Sequence, residues 1–380
     1  MKTDTKIIIC GDLCPTKDTK AIFEKQDSNL LFNDVIQEFK GADFLLGNLE
    51  FVLTDNPKPI KKSGPILHGK TDYISIFKKA GFDLMSLANN HIKDCGEEGV
   101  KSSMESCIKN GIDVLGVGKN ITEAKKPFVK EINGFKIGIV AFAEQEFNSA
   151  TENEYGSNYL DPFEDLEAIE KLKVEVDFLL VIYHGGIEYY EYPSPLLQKK
   201  CRKFIDKGAD LVTCQHSHCI GTIEKYKNKE IIYGQGNTVF GYKQNNPSWN
   251  QGLLLEIDLL SNNTFEVSYK GITASERGIQ LLNHSENQFL INQIEERSQK
   301  VYDKDFILTS WQKFCENKKA IYFPQFLGLN RYFIHLNRIF KNYVVSLFYG
   351  DKYLRSSHNI IRCESHNEVI KTILSQHLKK

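Results

Sequence analysis

The 380-residue chain holds no apolar stretch of membrane-spanning length, so no transmembrane helix is expected. Its nine cysteines are odd in number and irregularly spaced. That pattern argues against a disulfide framework and for a reducing compartment. At this length a core can be large enough to fold without disulfides. No excess of charge of one sign is present. The net charge is −1, which points to no partner for the chain as a whole, and no nucleic acid is expected. Internal repeats and low-complexity segments are missing too. The opening MKTDTKIIICGD has only a short apolar run before Gly11 and Asp12. It reads as neither a signal peptide nor an anchor, and a cytoplasmic protein is expected. What remains is ordinary for a soluble globular protein, with 41% hydrophobic and 26% charged residues.

Strand-like and helix-like segments alternate through the first three quarters of the chain. KIIIC, DFLLGNLE, FDLMSLANNH, GIDVLGVG, DFLLVIYHGG and ADLVTCQHSH read as strands with their following turns. Helices are expected over 30–39, 73–80, 96–110, 163–174 and 195–207. FVKEI and FKIGIVAFA flank Asn133-Gly134, a type I′ hairpin signal. IEKYKNKEIIYGQGN reads as a second hairpin. This alternation predicts a largely parallel sheet with helices on both faces. Ligands of such sheets bind beyond the carboxyl ends of the strands.

The same kinds of residue recur at those ends. Asp12 closes the first strand, Asn48 and Glu50 the second, and Asn90 and His91 the third. His184 closes a later strand, and His216 and His218 follow the last. Nitrogen and oxygen ligands thus reach one rim from five strands, a set suited to manganese, iron or zinc. VTCQHSHC, from Val212 to Cys219, is the densest of these segments. Cys214 and Cys219 lack the paired spacing of a structural zinc site, and no second pair exists. In an extended segment His216 and His218 face the same way. They are expected to form half of a catalytic metal site. His68, His284, His335, His358, His366 and His377 occupy no strand end and read as surface or packed residues.

The blocks CGDLCP, LGNLEFVLT, LANNHIKDCG, GVGKNITEA, YHGGIEYYEYPSP, GADLVTCQHSHCIGTIE and IYGQGNTVFG occur in that order. Together they resemble the CapA-type proteins of poly-γ-glutamate capsule synthesis, a branch of the calcineurin-like metallophosphoesterase superfamily. The resemblance covers about residues 6–275. It implies an α/β fold, a four-layer αββα sandwich with a metal centre at its rim. It also implies metal ligands at Asp12, Asn48, Glu50, Asn90, His184, His216 and His218, with His91 as general acid. Two divalent ions about 3.5–4 Å apart could then clamp a phosphoryl group. Asp94 either orients His91 or caps a helix. Glu188 and Tyr189 either line the pocket or belong to a solvated loop. Asn237 either supports the site or makes a plain turn. The superfamily opens on Asp-x-His, whereas Asp12-Leu13-Cys14 places cysteine in the histidine slot. Cys14 is either a thiolate ligand or a small packed residue.

Residues 286–380 differ in texture. They hold 15 basic against 9 acidic residues, a net of +6, where residues 1–285 hold 33 against 40, a net of −7. A domain over 1–285 and a basic helical extension over 286–380 are expected. In RYFIHLNRIFKNYVVSLF, Leu336, Ile339, Phe340, Tyr343 and Leu347 form one apolar stripe, with Arg338, Lys341 and Asn342 off it. The stripe packs on the sandwich, or it offers a basic platform to an anionic polymer or to a membrane surface without spanning it. The function expected is metal-dependent hydrolysis of a phosphoester in surface-polymer biosynthesis, with a phosphoester or an anionic polymer as the substrate. The competing expectation is a non-hydrolytic CapA-type component that binds polymer or partner proteins.

Overall fold

A computed structural model of the chain describes residues 2–340, 343, 345 and 350–378. The first segment shows why its apolar run has no polar alternation. In β1 (Thr5–Leu13), Ile7 and Ile9 enter one apolar layer while Ile8 and Cys10 enter another. Both faces of the strand are covered, so both carry apolar side chains. β2 (Phe44–Leu49), β3 (Leu84–Ser86) and β4 (Asp113–Leu115) extend the sheet in parallel from β1.

The chain then begins a second sheet with β5 (Phe128–Ile132) and β6 (Phe135–Ala143). Asn133 and Gly134 join them with φ of 49° and 86°. These are the two left-handed positions of a type I′ turn. β7 (Phe178–His184), β8 (Leu211–Gln215), β9 (Ile223–Tyr226) and β10 (Lys229–Ile232) complete it in the spatial order β9-β10-β8-β7-β6-β5. The four inner strands are parallel and both edge strands are antiparallel. β11 (Asn237–Val239) returns to the first sheet and pairs with β1. β12 (Gln251–Leu259), β13 (Phe265–Ser275) and β14 (Gly278–Leu281) then add antiparallel strands on the flank of β1 opposite β2, the flank that β11 joins.

The alternation of elements predicts one parallel sheet; the chain instead builds two mixed sheets packed face to face. Leu46, Ile139, Leu180, Ile182, Leu255 and Ile257 fill the layer between them. Helices cover both outer faces. Phe39, Phe77 and Val100 pack beneath the first sheet, and Leu172, Cys201 and Phe204 beneath the second. The result is the expected four-layer αββα sandwich. The helical stretch expected over 30–39 is two short helices, Ser28–Phe32 and Val35–Lys40. Asn33 breaks it at φ 43°, and its amide donates to the carbonyls of Leu30, Arg277 and Ile279. All nine cysteines are free thiols.

The chain divides into two compact units, Met1–Leu308 and Thr309–Lys380. Residue 285, where the sequence changes texture, lies inside the first. The helix that contains it, His284–Ser298, sends Leu290 and Ile294 into the inter-sheet core. The second unit contains the helices Arg331–Ile339, Asp351–Arg362 and Glu364–Leu378. Leu336, Ile339, Phe340 and Tyr343 are exposed rather than buried. Leu347, Lys341 and Asn342 lie outside the described residues. No helix among the described residues is long and apolar enough to cross a membrane.

Candidate metal centre

The carboxyl ends of β1, β2 and β3 in the first sheet and of β7 and β8 in the second converge on one buried cluster. A close backbone crossing makes room for it. A Cβ on Gly11 would lie 2.4 Å from the Gly236 carbonyl oxygen, and Gly236 itself has φ 72°. Only glycine fits both positions, which accounts for the glycines of CGD and GQGN.

Two groups of side chains have ligand atoms all within 4.8 Å of one another: Glu50, His184 and His216, and Asp12, Glu50 and His218. Glu50 belongs to both. Asn90 joins the first group, with its Oδ1 3.0 Å from His184 Nε2. Asn48 sits between the groups. Its Nδ2 donates to Asp12 Oδ1 at 2.7 Å and lies 3.1 Å from His184 Nδ1. Its Oδ1 accepts from Asn89 Nδ2 at 3.0 Å. Asn48 therefore turns an amide nitrogen, not an oxygen, toward Asp12 and His184. The backbone N–H of His216 donates to Asp12 Oδ2 at 3.1 Å.

His216 and His218 do face the same cluster, but not by strand alternation. β8 ends at Gln215, and the two histidines have φ of 91° and 51°. A left-handed backbone, unusual for residues other than glycine, turns them inward. Asn237 is not a plain turn. It lies in β11, its Oδ1 is 2.9 Å from His218 Nδ1, and its Nδ2 donates to the Trp249 carbonyl at 2.9 Å. The His218 ring also packs against Phe240 and Trp249, with centroids 4.7 and 4.8 Å away.

The electrostatics of the cluster would favour a bound cation. Glu50 is 0% exposed, and neither of its oxygens meets a hydrogen-bond donor among the described residues. His216 Nδ1 likewise has none. Burial pushes the Glu50 carboxyl well above its ordinary range. Burial and the neighbouring Glu50 push Asp12 up to about 7, against the pull of His184, Asn48 and the His216 amide. Burial lowers His184, drives His216 well down with help from His184 and His218, and takes His218 to about 3. Neutral imidazoles are the form that binds a metal. An uncompensated buried carboxylate is costly, and a divalent cation offsets that cost. The oxygen and nitrogen donors fit manganese, iron or zinc.

His91 lies beside this cluster and in neither group, with Nε2 4.0 Å from Glu50 Oε1. Its Nδ1 is 2.7 Å from Asp94 Oδ2, which also accepts from the Leu67 backbone N–H at 2.8 Å. Asp94 is no helix cap, because the helix Gly96–Lys109 is capped at Cys95. Asp94 is instead ion-paired with Lys62, whose side chain is 2% exposed. Lys62 was invisible to sequence reasoning. A lysine in a loop with Pro59, Gly64 and Pro65 carries no periodicity and reads as solvated. Asn89 was also missed, as were Glu144 and Glu146, whose charges act on His184. The two glutamates follow β6, a strand end as open to inspection as the others. Tyr189 is 43% exposed at φ 63°, donates its backbone N–H to the Ser217 carbonyl at 2.8 Å, and stacks on Trp249. Glu188 is exposed.

Cys14 belongs to neither ligand group, although the charges of Glu50 and Asp12 act on its buried thiol. Its Sγ is 3.4 Å from the Pro15 carbonyl, inside the apolar layer under the first sheet. Cys14→Ser is therefore expected to leave metal content unchanged and to cost about 1 kcal/mol of stability. Loss of metal from the purified variant, with recovery in Cys14→His, would return Cys14 to the ligand set.

The family model of the bacterial capsule synthesis protein PGA_cap matches residues 6–242. The capsule biosynthesis protein CapA of Bacillus anthracis is 29% identical over 239 residues, 60% of this chain and 58% of that protein. The PGA biosynthesis protein CapA of Bacillus subtilis (strain 168) is 28% identical over 235 residues, 60% of this chain and 62% of that protein. The chain spans about three fifths of the length of these curated relatives. A solved 5'-nucleotidase precursor from Thermus thermophilus aligns with 78% of this chain and 59% of its own, with a TM-score of 0.43 and 14% identity. The matched span of the family model is more than half of the chain and holds every member of both ligand groups, and the chain belongs to the bacterial capsule synthesis protein family PGA_cap.

Proposed function

We propose that the chain is a metal-dependent hydrolase of the metallophosphoesterase type, acting on a phosphoester linked to capsule or other surface-polymer biosynthesis. One observation carries this reading: two ligand groups share a single buried carboxylate, Glu50, and His91 stands beside them on an Asp94–Lys62 support. Asp12, Glu50, Asn90, His184, His216 and His218 would hold two divalent ions. Asn48 would orient Asp12 and His184 rather than ligate, and Asn237 would orient His218. Ions bound there would supply Lewis acidity toward a phosphoryl oxygen. His91 would protonate the leaving oxygen through Nε2, with Nδ1 occupied by Asp94. Tyr189 and Trp249 would form the apolar wall of the pocket, with Glu188 at its rim.

A non-hydrolytic role, binding polymer or partner proteins during capsule assembly, is the second reading. The cysteine in the Asp-x-His slot favours it, because the Asp12, Glu50 and His218 group lacks that histidine. The test is metal analysis of protein purified without chelator, followed by assays with manganese, zinc and magnesium on activated and unactivated phosphomonoesters and diesters. Two ions per chain and turnover of any ester support hydrolysis. Bound metal with no turnover of any ester transfers the assignment to the binding role.

A further inference from the structure

The second unit combines a positive net charge with exposed apolar side chains at helical spacing. Residues 309–380 hold 12 basic against 4 acidic residues, a net of +8 in a chain whose total is −1. Over the same residues, large apolar side chains lie open to solvent. On the helix Arg331–Ile339 and its next residue, Phe333, Leu336, Ile339 and Phe340 are 47%, 40%, 62% and 55% exposed at helical spacing. Ile361 and Ile373, on the two following helices, are each 53% exposed.

We propose that this unit docks on an anionic bilayer surface, with the Phe333–Phe340 face in the headgroup region and the basic residues at the phosphates. A helix with an apolar stripe and a basic polar face lies in the interface plane rather than across it. Each basic side chain near an anionic leaflet adds electrostatic attraction that falls off within a Debye length. Two other partners in solution answer only half of the pattern. A second copy would cover the apolar face but would bring the same +8 against it. A soluble polyanion would satisfy the charge but would leave the aromatic and aliphatic side chains wet. An anionic bilayer accounts for both.

The test is co-sedimentation of the full chain with phosphatidylcholine vesicles, with and without phosphatidylglycerol. The parent should bind only the anionic vesicles, and salt should weaken that binding without abolishing it. Leu336→Asp with Ile339→Asp, at two exposed positions, should lower binding at least about tenfold. Lys352→Glu with Lys371→Glu, also exposed, should lower it independently, which covers any misfolding of the first variant. Four results would overturn the proposal. They are no binding of the parent to anionic vesicles, equal binding by both variants, a dimer that the aspartate variant dissolves, and capture of soluble poly-glutamate without vesicle binding.

Discussion

Glu50→Gln should remove metal from both ligand groups at once, where His216→Ala should weaken only the group containing His184. The contrast follows from geometry, since Glu50 is the one member common to both. The substitution keeps the size of the side chain and removes its charge. It should also act in the opposite direction on the metal-free protein. There the parent buries a carboxyl with no donor to either oxygen, and at neutral pH it either stays charged without a partner or holds a proton that the unfolded chain does not, so the metal-free fold is weakened either way. Metal-free Glu50→Gln should therefore unfold at a higher temperature than the metal-free parent at neutral pH. The parent should regain its stability on adding metal, because a ligand that binds only the folded state stabilises it, and the variant should not. Elemental analysis and thermal melts with and without manganese or zinc check both halves. A variant that retains one ion per chain would show that Glu50 is not shared.

His91→Ala should leave metal content and folding nearly intact while activity on an unactivated phosphoester falls by roughly 10²–10⁴-fold, the usual size of a general-acid contribution. His91 belongs to neither ligand group, so its loss strips no ion of a donor. Asp94 keeps its ion pair with Lys62 and the Leu67 amide, so no buried charge is left alone. Asp94→Ala is the poorer experiment. It would strand the 2%-exposed Lys62, and breaking a buried pair from one side costs about 3–5 kcal/mol. The loss in His91→Ala should shrink for an ester with a very good leaving group, which needs little protonation. Equal activity of parent and variant on an unactivated ester would remove His91 from the acid role.

Much of this site was legible because strand ends are where open α/β layers place their chemistry. Asp12, Glu50, His184, His216 and His218 could be read from their positions after apolar runs, without knowing how far apart the strands would lie. Lys62 and Asn89 could not. Each acts through partners brought in by the tertiary structure, Lys62 through Asp94 and Asn89 through Asn48 and the Leu49 carbonyl. The direction of His216 and His218 was foreseen for the wrong reason. Strand alternation would have aimed both at one face, whereas two left-handed residues beyond β8 do so.

By itself the sequence determined the succession of elements, both hairpins and the residue types at the rim. Those depend on local pattern, turn chemistry and the side chains available as ligands. Only the tertiary structure decided that the strands divide into two sheets, because KIIIC and DFLLVIYH are apolar on both faces and suit either arrangement. It also decided that Glu50 is common to two groups of ligand-type side chains, that Asn48 turns its nitrogen to Asp12, and that Cys14 is in neither group. Each of these is a matter of which way a short side chain points across a gap of a few ångströms. That direction is set by long-range packing, not by neighbours in the chain.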